Sequence, residues 1–382
     1  MAVARAAGNK GSFAMNVVLL AAASSIHTIR WANGLNAAGH EVHVISQHAP
    51  CDPLDAGITL HQFPYRGAFG YFAIVPGVKK LLRDIKPDIV NAHYASGYAT
   101  TARLAGQRPW LLSVWGSDVY DFPYTSPLHR WLVKKNLLSA DGVASTSHCM
   151  AEQVRRLVPG LTKIPVTPFG VDMTAYESIE PVAAQVQQPL VIGTVKTMAS
   201  KYGIDTLIEA FALLFKQMDE IKPDLAQSLQ LRLVGGGVQT EEYKELSERL
   251  GIAEKVSFIG RVPHDQVPLE LAELDVYVAL SRLDSESFGV AIIEAGAAGR
   301  PVVVSDAGGL PEVTLQGKTG LVVPRENPQA AADAIQQLVL DPDLRHRFGV
   351  AGKQHVMETY SWPVCVQQMV SVFEQLIEKQ IN

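Results

Sequence analysis

Short apolar runs recur along the chain, each followed by a stretch whose apolar positions fall three or four residues apart. The first period of a run that is apolar at every position marks a strand buried on both faces, and the second marks an amphipathic helix. Val17–Ala23 reads as such a strand, His27–Ala38 as a helix with Ile29, Trp31 and Leu35 on one face, and Glu41–Ser46 as the next strand. A strand, a crossover helix and a strand imply a parallel sheet. The alternation continues through the helix Ile74–Asp84, the strand Asp88–Ala92, the helix Ser96–Ala105 and the strand Trp110–Val114. The helix Ser126–Ser139, the strand Gly142–Thr146, the helix His148–Val158 and a short strand Pro165–Pro168 follow.

Residues 173–188 lose this periodicity and read as a connector. Beyond it come the strand Leu190–Gly193, the helix Asp205–Met218, the strand Leu231–Val234, the helix Thr240–Leu250 and the strands Val256–Ile259 and Val276–Leu280. The helix Val290–Ala298 and the strands Pro301–Ser305 and Leu321–Val323 close the second set, before the helices Pro328–Leu338, Asp343–Tyr360 and Trp362–Glu378. The division this gives is a disordered leader over 1–14, a first domain over 15–172, the connector, a second domain over 189–360, and a helix over 361–382 packing back toward the first domain. Two α/β domains of this kind leave a cleft between the carboxyl ends of their parallel sheets, where open α/β folds bind ligands.

Length and composition agree with that division. The chain has 382 residues, 47% of them apolar and 19% charged, which suits two packed domains and argues against disorder. Arg5 and Lys10 ahead of Phe13–Ser25 have the make-up of a short secretion signal, but the helix and strand that follow directly favour a first buried strand, with Met15 as a possible start. No apolar run approaches the roughly 20 residues that span a bilayer. Cys51, Cys149 and Cys365 form neither a disulfide framework nor a metal-ligand spacing, so a reducing, cytoplasmic compartment is expected. The net charge of −5 divides into +7 over residues 1–170 and −12 over the rest. Lys79, Lys80, Arg83 and Lys86 recur at helical spacing in the basic half, with Arg130, Lys134 and Lys135, and Arg155 and Arg156, as further clusters. They suggest peripheral contact with the anionic inner face of the cytoplasmic membrane; solvated helix faces are the plainer alternative, and no nucleic-acid partner is expected.

Several chemistries are excluded. The loop Ala21–Ser25 after the first strand lacks the Gly-x-Gly-x-x-Gly of a dinucleotide site. Gly317-Lys318-Thr319 fails as a P-loop because Glu312 stands where the earlier glycine is needed. There is no Gly-x-Ser-x-Gly elbow, and Asp341-Pro342-Asp343 opens a late helix and reads as a cap.

The informative segment runs from Asp284 to Glu312. Glu286 and Glu294 are separated by seven residues, with Ser287-Phe288-Gly289 as a turn and a helix starting near Val290. A helix start offers free N–H groups and the positive end of the dipole, which favour phosphate. Glu286 precedes those groups and faces the same ligand; Glu294, one turn inside, can accept from the hydroxyls of a ribose.

That segment resembles the E-x7-E signature of the family 4, or group 1, retaining glycosyltransferases of GT-B fold. The likeness covers nearly the whole chain from Met15. It includes Gly39-His40-Glu41-Val42, Gly170-Val171-Asp172, Gly235–Gly237, Val256-Ser257-Phe258-Ile259-Gly260, Gly308-Gly309-Leu310-Pro311-Glu312 and Gly317–Val323. The resemblance implies two Rossmann-like domains whose parallel sheets face across a cleft, and transfer of a sugar from a nucleotide-sugar donor to a glycan or lipid-linked acceptor. Bacterial surface polysaccharide synthesis is the expected setting. Glu286 would contact the donor sugar with the backbone of Ser287, Phe288, Gly289 and Val290. Glu294 would hold the ribose, and the backbone at Gly260 and Arg261 would read the base, with Gly236 nearby. Lys201 matches the family's phosphate-binding lysine. The family's upstream arginine is absent, and Lys196 is its substitute here.

The family needs no metal and no cofactor beyond the donor. It retains configuration without a placed nucleophile, the leaving phosphate itself taking the acceptor's proton. On the acceptor side stand Ser24, Ser25 and His27 after the first strand, His93 and Tyr94 after the strand Asp88–Ala92, and Trp115 and Asp118 after Trp110–Val114. Trp115 departs from the family, which has histidine there. An indole offers an apolar wall and no acceptor, which suggests a 6-deoxy sugar or pentose as donor; an indole turned away into packing is the plainer alternative. Two rival readings share the architecture: a nucleotide-sugar 2-epimerase, separable by product analysis without acceptor, and a non-catalytic nucleotide-sugar binding module, which slow donor hydrolysis would exclude.

Overall fold

The computed structural model describes residues 14–184 and 189–381. The leader expected over 1–14 falls almost wholly outside them, as do residues 185–188 of the connector. Twelve strands form two parallel sheets of six. The first holds β1 (Asn16–Leu20), β2 (Glu41–Ser46), β3 (Ile58–Gln62), β4 (Ile89–His93), β5 (Trp110–Val114) and β6 (Gly142–Ser145) in the order β3-β2-β1-β4-β5-β6. The second holds β7 (Leu190–Val195), β8 (Leu229–Val234), β9 (Val256–Gly260), β10 (Val276–Ala279), β11 (Val302–Ser305) and β12 (Gly320–Val323) in the order β12-β11-β10-β7-β8-β9. Counted from its own first strand, each sheet has the sequence 3-2-1-4-5-6. That is the doubly wound Rossmann order, whose direction of winding reverses between strands 1 and 4.

The central strands are apolar on both sides because helices cover both faces. Leu19 pairs in register with Val44 on one side and Asn91 on the other, and Ile192 with Leu231 and Val276. In the second sheet Leu207, Ile208, Phe211 and Leu214 of the helix Ile204–Ile221, and Ile335 and Leu338 of the helix Pro328–Leu340, close over Leu231, Leu233, Val278 and Val303, all buried. Each such side chain contributes about 1.5–3 kcal/mol on leaving water.

Several expectations need correction. The helix expected over Ile74–Asp84 is present as Val75–Ile85, but it is preceded by a further helix, Gly67–Ala73, that was not foreseen. Pro165–Pro168 contributes only a single bridge from Val166 to Ser145 and no strand. The edge strand β3 and the short helices Ser117–Tyr120, Pro223–Ser228, Val267–Ala272 and Leu310–Val313 went unforeseen. Asp341 caps the helix Pro342–Thr359, its carboxylate accepting the Leu344 N–H at 2.8 Å. By packing, described residues up to Ser113 with Lys135–Val143 and those from Val370 on form one compact unit, and Val114–Lys134 with Ala144–Met369 form the other.

Candidate functional site

The strand order singles out the loops after β7 and β10, which flank the reversal in the second sheet. Lys196 is the first residue beyond β7, and its N–H still donates to the Val234 carbonyl at 2.9 Å. The glycines after β8 press onto this loop. A Cβ on Gly235 (φ 133°) would collide with the Lys196 carbonyl, and one on Gly237 with that of Met198. Gly236 accepts the Met198 N–H at 3.4 Å. Close backbone approach is what the glycine triplet permits here.

Lys196 Nζ lies 2.7 Å from Glu286 Oε1, with side-chain exposures of 14% and 17%. Burial alone would lower the lysine's pKa, but the Glu286 carboxylate reverses the effect and holds it above its ordinary value. The Tyr202 ring lies under both cations, 4.6 Å from Lys196 Nζ and 4.7 Å from Lys201 Nζ. Two ammonium groups and one carboxylate oxygen thus gather at one strand end. Glu286 Oε2 takes no part in the pair with Lys196.

The segment after β10 is braced from below. Arg325 reaches Asp284 at 2.9 Å and Asp306 at 3.0 Å, and Arg282 reaches Asp205 at 2.6 Å. Gly308 and Gly309 back the turn: a Cβ on either would strike the carbonyls of Glu286 or Ser287, and the Gly309 N–H donates to Glu286 O at 3.0 Å. The helix Val290–Ala297 starts from Gly289 at φ 102°. The N–H groups of Ser287, Phe288 and Gly289 have no acceptor among the described residues. Three open donors ahead of a helix start make a ready anion site.

Glu294 lies inside that helix, 8% exposed, with His264 Nε2 3.7 Å from its Oε1. Gly260, at φ 83°, ends β9 and accepts the Gly235 N–H at 2.8 Å, and the Arg261 side chain lies over Gly236. The residues read from sequence on the donor side therefore lie at or just beyond the carboxyl ends of β7, β8 and β9, and on the turn and helix that follow β10.

Those on the acceptor side divide into two groups. Ser24 is exposed; Ser25 directly precedes the helix Ile26–Ala37 and His27 lies in its first turn rather than on the loop, both half-buried; Tyr94, at φ 69°, follows β4. His93 is the last residue of β4 rather than the first beyond it; it is 1% exposed, with Nε2 3.0 Å from Asn91 Oδ1. Burial and then the neighbouring His27 push its pKa down to about 3, so it is neutral at physiological pH. Asp118 is buried and pins its own turn, accepting the N–H groups of Trp115 at 3.2 Å and Gly116 at 2.8 Å. Trp115 is 8% exposed, and its ring meets Phe169 edge to face at 5.3 Å; Phe169 in turn meets Phe288, and Phe288 meets Tyr360, each at 5.8 Å. This stack gives the indole a packing role that needs no sugar to explain it.

Two family models match the chain: one described as glycosyl transferases group 1 over residues 176–355, and one as glycosyl transferase 4-like over residues 16–147. The chain is a group 1 glycosyltransferase. A GDP-mannose-dependent alpha-(1-6)-phosphatidylinositol monomannoside mannosyltransferase of Mycobacterium tuberculosis is 28% identical over 275 residues, 69% of each chain. Among solved structures, sucrose-phosphate synthase from Thermosynechococcus elongatus matches with a TM-score of 0.76 at 22% identity, over 95% of this chain and all of that one. Anabaena HepE in complex with UDP and glucose matches with a TM-score of 0.72 at 19% identity, over 95% of this chain and all of that one. These likenesses show the GT-B fold of two Rossmann-like domains.

Sequence reasoning passed over several residues of this glycosyltransferase. Tyr202 was visible only as the neighbour of Lys201. His264 lies far from Glu294 in sequence and gave no signal. Glu312 was noted only within the Gly308–Glu312 segment, yet its two oxygens accept the N–H groups of His148 at 2.7 Å and Cys149 at 2.6 Å, at the start of the helix His148–Leu157. Among the described residues no group of three or more His, Cys, Asp or Glu could hold a metal ion.

Proposed function

We propose that this enzyme transfers a sugar from a nucleotide-sugar donor to a glycan or lipid-linked acceptor, with retention at the anomeric carbon and without a metal. The observation that carries the reading is the turn Ser287-Phe288-Gly289, whose N–H groups are open beside Glu286, Lys196 and Lys201. Those donors and cations suit a diphosphate leaving group, because fixed positive groups stabilise the charge that builds as the bond to the sugar breaks. Glu286 Oε2 is available to a sugar hydroxyl while Oε1 holds Lys196, and Glu294 suits a ribose. Rate enhancement then rests on orientation and leaving-group stabilisation, the departing phosphate taking the acceptor's proton. The mannosyltransferase relative named for a phosphatidylinositol acceptor, and the HepE complex with UDP, support a nucleotide-linked donor and a lipid-linked glycan acceptor. On this reading residues 15–172 serve the acceptor and 189–360 the donor.

The proposed setting is bacterial surface polysaccharide or glycolipid synthesis, with the enzyme held peripherally on the inner face of the cytoplasmic membrane. No helix among the described residues is long and apolar enough to cross a membrane. Phe69 and Phe72 are 78% and 49% exposed on the helix Gly67–Ala73, just ahead of Lys79, Lys80 and Arg83. Leu128, Trp131 and Leu138 are 67%, 52% and 61% exposed on the helix Pro127–Ser139, which carries Arg130, Lys134 and Lys135 and no acid. Apolar side chains among cations suit the surface of an anionic bilayer.

Nucleotide release from a panel of UDP-, GDP-, ADP- and TDP-sugars, with and without chelator, tests the reading. Release from one donor, indifferent to chelator and lost in Glu294→Ala and Lys201→Ala, is expected. Release from none, together with no binding of any donor, would overturn it.

A further inference from the structure

A cavity of about 350 Å³ is lined in part by Thr146, His148, Phe288, Glu312, Tyr360 and Gln368. Its volume falls within the range of small-molecule sites, about 300–1,000 Å³. Phe288 belongs to two places at once: its backbone N–H is one of the open donors of the turn, and its ring is a wall of this cavity. We propose that the cavity is a subsite for a neutral sugar ring of the acceptor glycan, an assignment to the acceptor that rests on the transferase reading above.

The lining has the chemistry such a ring needs. Phe288 and Val313 present apolar surface for the C–H face of a pyranose, with Val166 and Pro168 beside them. Thr146, Thr359, Tyr360 and Gln368 supply hydroxyl and amide donors and acceptors, beside the Glu312 carboxylate and the His148 imidazole. The Tyr360 residue is 8% exposed, yet its hydroxyl has no hydrogen-bond partner among the described residues, and neither has the Gln368 amide. That hydroxyl faces the cavity, where a ligand can meet it. Burial, with the nearby Glu312 charge, raises its pKa to about 12, so it stays a donor throughout the physiological range.

The charge balance also excludes something. Among the described residues no lysine or arginine lines the cavity, while the Glu312 carboxylate and the His148 imidazole do. Each of its oxygens already accepts one backbone N–H, which fixes the carboxylate in place. A phosphorylated sugar would bring like charge to a fixed anion with no lysine or arginine in the lining to offset it. The subsite therefore favours unmodified hexoses over their phosphates.

The test is saturation-transfer NMR with methyl α-mannoside, an α-linked mannobiose and mannose 6-phosphate, on wild type, Gln368→Trp and Tyr360→Phe. Gln368→Trp fills the cavity from a helix; Tyr360→Phe keeps the ring contacts with Phe288 and removes only the hydroxyl. Expected are saturable binding of both mannosides, a Kd raised about tenfold or more by Gln368→Trp and about fivefold by Tyr360→Phe, and weaker binding of mannose 6-phosphate. No saturable binding to wild type, or a Kd unchanged in both variants, would overturn the subsite. Donor turnover by wild type, measured alongside, judges the transferase reading separately: turnover with mannoside binding indifferent to both substitutions sinks the cavity alone. Absence of turnover together with no binding of any donor sinks the transferase reading and leaves the NMR to decide the cavity.

Discussion

The carboxyl edges of the two sheets share one strand order and carry opposite chemistry. At the edge of the first, His93 and Tyr98 are held neutral. Burial and then His27 lower the pKa of His93 to about 3, and Tyr98, its pKa raised to about 12 chiefly by burial, meets Ser46 at 3.1 Å and His48 at 2.8 Å. At the edge of the second, Lys196, Lys201, Glu286 and Glu294 stand among backbone donors with no acceptor. Topology places a ligand at the winding reversal of each sheet; the residues just past the strands decide what kind. Neutral hydroxyl and imidazole groups fit a polyhydroxyl ligand, whereas cations and open N–H groups fit a diphosphate.

The largest expected effect breaks the charged side. Lys201→Ala should lower kcat by about 10²–10³, as removal of one stabiliser of developing charge does elsewhere, with a smaller change in donor KM. Glu286→Gln, which keeps the shape and weakens the hold on Lys196, should fall in the same range. Equal activity in both would dissolve the contrast between the two edges.

The next effect probes the neutral side. The folded-state pKa of His93 lies below the unfolded value of 6.5, so the unfolded chain binds the extra proton first. Stability from its neutral form is fully present above pH 6.5 and declines as pH falls toward about 3. The slope is about 1.4 kcal/mol per pH unit inside that window, so roughly 2 kcal/mol is gone by pH 5. Thermal melts from pH 8 to pH 5 should show it, and His93→Gln should flatten the profile. A variant as acid-sensitive as wild type would place the responsible group elsewhere.

The smallest effect concerns Glu312. Glu312→Ala leaves the N–H groups of His148 and Cys149 without their carboxylate and should cost about 1–2 kcal/mol, visible as a lower Tm. Glu312→Gln keeps one acceptor and should recover part of the loss. A Tm unchanged in both would mean that water replaces the carboxylate at no cost.

Much of the fold was legible because the central strands are apolar on both faces. Glu41–Ser46 and Trp110–Val114 have the bounds expected of them. The edge strand β3, Ile-Thr-Leu-His-Gln, escaped because it is only partly buried and its pattern is too polar to stand out. The helix Gly67–Ala73 escaped because two of its residues are glycines, poor helix formers, and tertiary packing overrides that preference. For the site, the E-x7-E spacing was readable because one turn and one helix carry it. The pairing of Lys196 with Glu286 spans 90 residues, and that of Glu312 with His148 spans 164. Such contacts follow from strand order and leave no periodic trace. Trp115 shows the converse: the residue alone left a wall for a sugar and plain packing both open, and its neighbours are Phe169 and, through it, Phe288.

Gly308 and Gly309 carry a consequence for anyone altering donor preference. Both sit where even a methyl group would meet the carbonyls of the turn at Glu286 and Ser287. The turn therefore has a rigid floor, and its backbone donors cannot retreat to admit a larger group. Directed evolution should find its gains among the side chains around the turn, and libraries that randomise these two positions should return mostly inactive clones.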